Sequence, residues 1–245
     1  MELMNNNKKR TASHIIVGAV FSVLAIVLIV LIILIVKNVR RDQETIDHIT
    51  ENSGDPDIFD ELIAINPEVI AWITVDDTLI NTCVTQAKDN TKYINTDARG
   101  EESFAGNPFL DYRNASDFSD VYSLVYGHLM SDHLMFGDLV LFQDPEFWET
   151  ERTGTLLLAD KREYNITFFA CLTATSHDSM YFDPIRVRNN WNGEFLASML
   201  EDAELKNDEI GLTDHILVLS TCQSYDSDER VMVFGKLTEK QKQKW

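Results

Sequence analysis

Residues 15–36 (IIVGAVFSVLAIVLIVLIILIV) run without a single charge, and no other feature restricts the folding of the chain as much. As a helix rising ~1.5 Å per residue, the stretch reaches ~33 Å, enough to cross a bilayer core of ~30 Å. A helix that is apolar on every side has no face to offer to water, so it does not lie on the surface of a soluble domain. A secretory signal also carries an apolar region, but one of only ~7–15 residues that ends at a small-residue cleavage site. Here the run ends in Lys37-Asn38-Val39-Arg40-Arg41, so a retained transmembrane anchor is expected. Lys8, Lys9 and Arg10 on one side balance Lys37, Arg40 and Arg41 on the other, and the charge bias assigns no orientation.

Beyond the anchor the chain changes character. The whole sequence of 245 residues carries a formal charge of −19, from 21 basic and 40 acidic side chains. With Glu2 and the six basic residues just named set aside, 15 basic and 39 acidic groups remain, a net of −24. Such a body repels a phosphate backbone, which excludes nucleic acid as a partner. It is also repelled by an anionic membrane surface, so residues 37–56 are expected to act as a polar stalk. The remaining length is ample for one domain with a sizeable core, expected over 57–237 with a short tail at 238–245. Three cysteines, Cys83, Cys171 and Cys222, are too few for a disulfide framework and contain no CxxC pair for zinc.

The pattern within that domain is mainly β, with no internal repeat. Residues 57–65 (DIFDELIAI) place Ile58, Leu62 and Ile65 at helical spacing before Asn66-Pro67. Residues 71–75 and 79–84 read as two strands joined around Asp76-Asp77. Further short β-branched or aromatic runs fall at 123–126, 139–142, 154–159, 164–173, 216–222 and 230–237, as expected of a closed or nearly closed barrel. Residues 191–205 differ, because Phe195, Leu196, Met199 and Leu200 repeat at helical spacing. A helix is therefore expected before the strand that ends at Cys222, as core, groove wall or both.

Cys222 ends an apolar strand and is followed by a polar turn, after which Arg230 opens the next strand. If the two strands pair as a hairpin, Arg230 lies across from Cys222, placing a permanent cation near a thiolate or a developing oxyanion. The competing reading is a buried thiol, with Arg230 satisfied by Asp226, Asp228 or Glu229, and spacing alone does not choose between them. A cysteine nucleophile also needs a proton carrier. His128 follows Tyr126-Gly127 at a strand end, where glycine permits a sharp turn that projects the imidazole. His133 in the same loop competes with it, His177 lies in a polar stretch, and composition by itself names none of them. His128 and His133 lack the i, i+4 spacing of a zinc helix, so no metal is expected.

These residues carry a resemblance. Leu219-Ser220-Thr221-Cys222 is similar to the strand-end motif of the sortases, and Arg230 matches the arginine that heads their following strand. Val125-Tyr126-Gly127-His128-Leu129-Met130 resembles their histidine motif. Met135-Phe136-Gly137-Asp138-Leu139, Asn66-Pro67-Glu68-Val69-Ile70-Ala71-Trp72-Ile73 and the segment 105–113 (AGNPFLDYR) resemble class B members in particular. The similarity spans most of residues 57–237, and the helix expected at 191–205 agrees with the class B pattern.

The resemblance implies a sortase-type β-barrel and a cysteine transpeptidase anchored at the outer face of a Gram-positive cell envelope, with residues 1–14 in the cytoplasm. It implies a thioacyl intermediate on Cys222, proton transfer by His128, and oxyanion stabilisation by Arg230 with the backbone N–H of Gln223. Tyr126, Ser220 and Thr221 would shape the substrate groove, and the loop at 173–184 would read the sorting motif. The implied partners are secreted proteins bearing a C-terminal sorting motif and, as acceptor, the amine of a cell-wall precursor peptide or a pilin lysine. No metal or organic cofactor is required. A cysteine protease or amidase using water, and a membrane-anchored binding module with an inert thiol, are the alternatives.

Overall fold

The computed structural model describes residues 20–37, 39–40, 56–130, 135–150, 153–207, 210–222 and 227–241. The chain divides into two units, Met1–Thr45 and Ile46–Trp245. In the first, helix α1 (Val20–Lys37) is 18 residues long and exposes its side chains along its whole length. At ~1.5 Å per residue it measures ~27 Å and is apolar enough to cross a membrane, consistent with a single-pass anchor. Residues 1–19, and 41–55 of the expected stalk, lie outside the described residues.

The second unit begins with α2 (Pro56–Ile65). Ile58, Phe59 and Leu62 fall on one side of this helix and are buried against Trp72, Cys83 and Ala98. Phe59 meets Trp72 edge to face, with ring centroids 6.0 Å apart. Ile65, expected on the same buried stripe, is instead half exposed in the last turn. The Asn66 N–H closes the helix on the Leu62 carbonyl at 2.8 Å, and Pro67 prevents a further turn.

Strands β1 (Val69–Val75) and β2 (Asn81–Thr85) pair antiparallel from Val69↔Thr85 to Thr74↔Asn81. Their connection runs through Asp76 and Asp77, the latter at φ 55°, a conformation that aspartate tolerates in turns. The remaining strands are β3 (Phe109–Leu110), β4 (Tyr122–Tyr126), β5 (Thr153–Leu158), β6 (Glu163–Thr175), β7 (Leu205–Lys206), β8 (His215–Cys222) and β9 (Glu229–Glu239). The sheet order is β5-β1-β2-β3-β4-β8-β9-β6-β7, and β5 also pairs with β6, so eight strands close into a barrel with β7 outside it. Closure works because β6 changes partner along its length. Residues 163–167 pair with β5 and residues 170–171 with β7, and a register shift between Phe168 and Ala170 marks the change.

Alternation along the strands builds two cores. Leu217 and Leu219 of β8 and Val231 and Val233 of β9 fill the barrel interior with Phe136, Leu139, Phe142 and Phe168. Ile216 and Val218, with Met232 and Phe234, point to the other face, where α4 (Pro184–Asn189) and α5 (Gly193–Asp202) cover them with Val187, Leu196 and Met199. Both faces are buried, which explains why β8 reads as a continuous apolar run. Asn192 caps α5 by accepting from the Phe195 N–H at 2.9 Å. The helix expected over 191–205 is shorter than its apolar pattern, because the chain turns at Ala203 to make β7.

One expected strand is corrected. Residues 139–142 belong to a 3-10 segment, Gly137–Gln143. Leu139 and Phe142, three apart, are buried, whereas Val140 and Leu141 are only partly so, a period of three rather than two. Asp138 Oδ2 accepts from the Leu79 N–H at 2.7 Å and ties this segment to the β1–β2 connection. A four-residue apolar run does not reveal its period, so only tertiary context separates these outcomes. Strands β3 and β7 and helices α3 (Pro145–Thr150) and α4 are likewise too short to show one.

Candidate active site

The parallel pair β4 and β8 ends at one rim of the barrel, with Tyr126 opposite Ser220. In the antiparallel pair β8 and β9, Cys222 stands opposite Arg230. These registers bring three chain segments to a cleft of about 130 Å³ lined by Ile94, Phe109, Tyr126, Gly127, His128, Ser220, Thr221 and Arg230.

Gly127 makes the turn that carries His128 out of β4. Its N–H donates to the Ser220 carbonyl at 3.0 Å, and a Cβ here would fall 2.5 Å from the Phe136 ring. His128 is half-buried, and its Nε2 lies 2.8 Å from the Ile94 carbonyl oxygen. The Arg230 guanidinium donates through Nη1 to the carbonyls of Ser227 (3.0 Å) and Glu229 (3.1 Å). Among the described residues no carboxylate forms an ion pair with it; Asp228 and Glu229 do not, and Asp226 lies outside the described residues. Ser220 and Thr221 are buried, and among the described residues their hydroxyls find no hydrogen-bond partner.

Tyr126 is held from behind. Its hydroxyl donates to Asp111 Oδ2 at 2.9 Å, and the same carboxylate accepts from Asn90 Nδ2 (2.8 Å) and from both Nε and Nη2 of Arg113 (2.8 Å each). Burial alone would raise the Asp111 pKa, but the Arg113 hydrogen bonds outweigh it and hold the carboxyl below its usual range. Burial, reinforced by that negative charge, pushes the Tyr126 phenol up. Arg113 also reaches the Phe182 carbonyl (2.8 Å) and Asp183 (3.3 Å), and Phe182 stacks on Tyr126 with centroids 6.3 Å apart. The connection between β6 and α4 is thereby tied to the cleft wall. Sequence reading missed this network; its only trace was the AGNPFLDYR segment.

Several other candidates are placed elsewhere. Gln223 and His133 lie outside the described residues. His177 is exposed and does not line the cleft. His215 begins β8, roughly 23 Å of strand from Cys222, with Nδ1 at 3.0 Å from the Asp120 carbonyl. Cys83 and Cys171 are buried free thiols, each pushed up to about 12 by desolvation. No residue of α5 lines the cleft. Among the described residues, no group of three or more His, Cys, Asp or Glu side chains gathers as a metal site would require.

No protein-family model matches the chain. Sortase B of Listeria monocytogenes is 30% identical over 183 residues, covering 74% of each chain. Among solved structures, a class B sortase of Streptococcus pyogenes involved in pilus biogenesis is 35% identical with a TM-score of 0.69, over 74% of this chain and 97% of that one. A sortase B of Clostridium perfringens gives a TM-score of 0.71 at 25% identity, over 80% of this chain and 98% of the other.

Proposed function

The chain belongs to the class B sortases and is a cysteine transpeptidase, and from that premise we propose that Cys222, His128 and Arg230 carry its reaction at the cleft shared by β4, β8 and β9. The observation that carries this reading is that His128 and Arg230 line one cleft while the backbone of Cys222 pairs with that of Arg230.

The Cys222 thiolate attacks the carbonyl carbon of a Thr-like residue in the C-terminal sorting motif of a secreted protein. The tetrahedral oxyanion is stabilised by the Arg230 guanidinium and the Gln223 N–H. His128 in its imidazolium form gives a proton to the departing amine as the C–N bond breaks, leaving a thioester on Cys222. The acceptor amine attacks that thioester, His128 takes its proton, and the thiolate leaves as the new amide forms. Tyr126, Ser220 and Thr221 line the groove and shape it for an extended peptide.

In this reading residues 15–36 anchor the protein in a single pass, residues 1–14 stay in the cytoplasm, and the barrel works at the outer face of a Gram-positive envelope. The acceptor is a cell-wall precursor amine. A pilin lysine is the second reading, favoured by the pilus role of the Streptococcus pyogenes relative.

Mass spectrometry tests both. The full chain in detergent micelles, as wild type and Cys222→Ala, is incubated with LPxTG-like and NPxTN-like peptides and with a Gly-containing or a Lys-containing amine. A Cys222-dependent adduct released as an amide supports transpeptidation, and the amine consumed separates the two acceptors. Release only as free acid would replace the proposal with hydrolysis, and no adduct from any peptide would overturn it.

A further inference from the structure

We propose that the main-chain carbonyl of Ile94 is the positioning group for His128, fixing its proton on Nε2 and leaving Nδ1 to exchange the proton with substrate and acceptor. This rests on the reading of His128 as the acid and base of the reaction. A catalytic histidine needs a third group that fixes its tautomer, and among the described residues no carboxylate pairs with His128. The group that faces its ring is the Ile94 oxygen, 2.8 Å from Nε2. A carbonyl oxygen only accepts, so the contact requires a proton on Nε2 whether the ring is neutral or cationic.

The carbonyl is itself held by the fold. Ile94 ends the 3-10 turn Lys92–Ile94, whose middle residue Tyr93 is buried. The Tyr93 hydroxyl donates to Glu68 Oε2 at 2.7 Å and accepts from Asn66 Nδ2 at 2.9 Å. Its carbonyl accepts from the Asn107 N–H at 3.0 Å, and the Asn107 side chain is fixed on the carbonyls of Cys83 (3.2 Å) and Pro108 (2.8 Å). Gly106 closes the arrangement at φ 61°. A Cβ there would lie 2.5 Å from the Tyr93 oxygen, 2.6 Å from the Ile94 oxygen and 3.0 Å from His128 Cδ2. Only glycine leaves room for the carbonyl and the imidazole together. The exit of α2, the 3-10 turn and the loop at 105–108 thus converge on one oxygen and one ring nitrogen.

The test is 15N NMR of the full chain in micelles, with the His128 signals assigned by their loss in His128→Ala. The neutral ring is expected as the Nε2–H tautomer, and a dominant Nδ1–H tautomer would overturn the proposal. Tyr93→Phe and Gly106→Ala are expected to mix the tautomers and to lower kcat at least tenfold with KM within about twofold. If both variants fold and keep wild-type kcat and tautomer, the Ile94 carbonyl is not the positioning group. An active His128→Ala would instead remove His128 from the reaction, a failure distinct from that of the tautomer.

Discussion

Cys222 closes β8 directly opposite Arg230, the second residue of β9. Facing residues of an antiparallel pair have Cα atoms ~4.5–5.5 Å apart, so the arginine is carried to Cys222 by register alone. Its hydrogen bonds to the Ser227 and Glu229 carbonyls orient the guanidinium without cancelling its charge. Arg230→Ala is expected to lower kcat by about 10²–10³, the usual effect of removing one oxyanion donor. Arg230→Lys should restore only part, because a point charge does not reproduce the guanidinium fork. Acyl transfer to an amine measures both, and an alanine variant within threefold of wild type would exclude Arg230 from the reaction.

Thiol counting separates an active cysteine from an inert one. Burial pushes Cys83 and Cys171 up to about 12, so at pH 8 both are protonated as well as inaccessible. The native chain is expected to react with one equivalent of an alkylating reagent, Cys222→Ala with none, and the denatured wild type with three. Fast modification of Cys83 or Cys171 in the native protein would contradict their burial.

Asp111 should contribute stability in a pH-dependent way. Its folded pKa lies below the unfolded value of about 3.9, so the contribution is present above that value and is lost as pH falls through the folded pKa. Asp111→Asn is expected to cost about 1.5–3 kcal/mol at pH 7, in the range of hydrogen bonds to a charged group. The gap in Tm to wild type should narrow on acidification. A gap that stays constant from pH 7 to pH 3 would show that the ionised carboxylate is not what stabilises the Arg113 and Tyr126 contacts.

Gly127→Ala puts a methyl group 2.5 Å from the Phe136 ring, and the ring has little freedom because it is buried in the barrel interior. Overpacking of this kind costs about 1–3 kcal/mol and displaces the strand end that carries His128. Chemical denaturation and the acyl-transfer assay should report both losses together. Loss of neither would mean that Phe136 has room to move.

Local signals were the legible ones. A charge-free run longer than 18 residues reads as a helix long and apolar enough to cross a membrane, and α1 occupies most of it within the described residues. Strands β1, β2, β4, β5, β6, β8 and β9 have enough β-branched and aromatic residues to be read from their period and their turn residues. The pairing of Cys222 with Arg230 was legible for the same reason, since a short turn between two strands limits their register. Residues 139–142 were misread, because four apolar residues fit a strand or a helical turn equally until Phe136, Phe142 and Phe168 pack together.

The sequence by itself determined the long apolar helix, the β-rich body and the candidate residues Cys222, His128 and Arg230, because side-chain period and motif spacing are local properties of the chain. Only the tertiary structure decided which of these share a cleft. His128 reaches the rim beside Ser220 and Thr221 through the parallel pairing of β4 with β8, which are far apart in sequence and are aligned by cores buried on both faces of the sheet. The Ile94 carbonyl beside His128 left no mark on the sequence at all, since every residue has a carbonyl and only the folded chain selects the one that faces the ring.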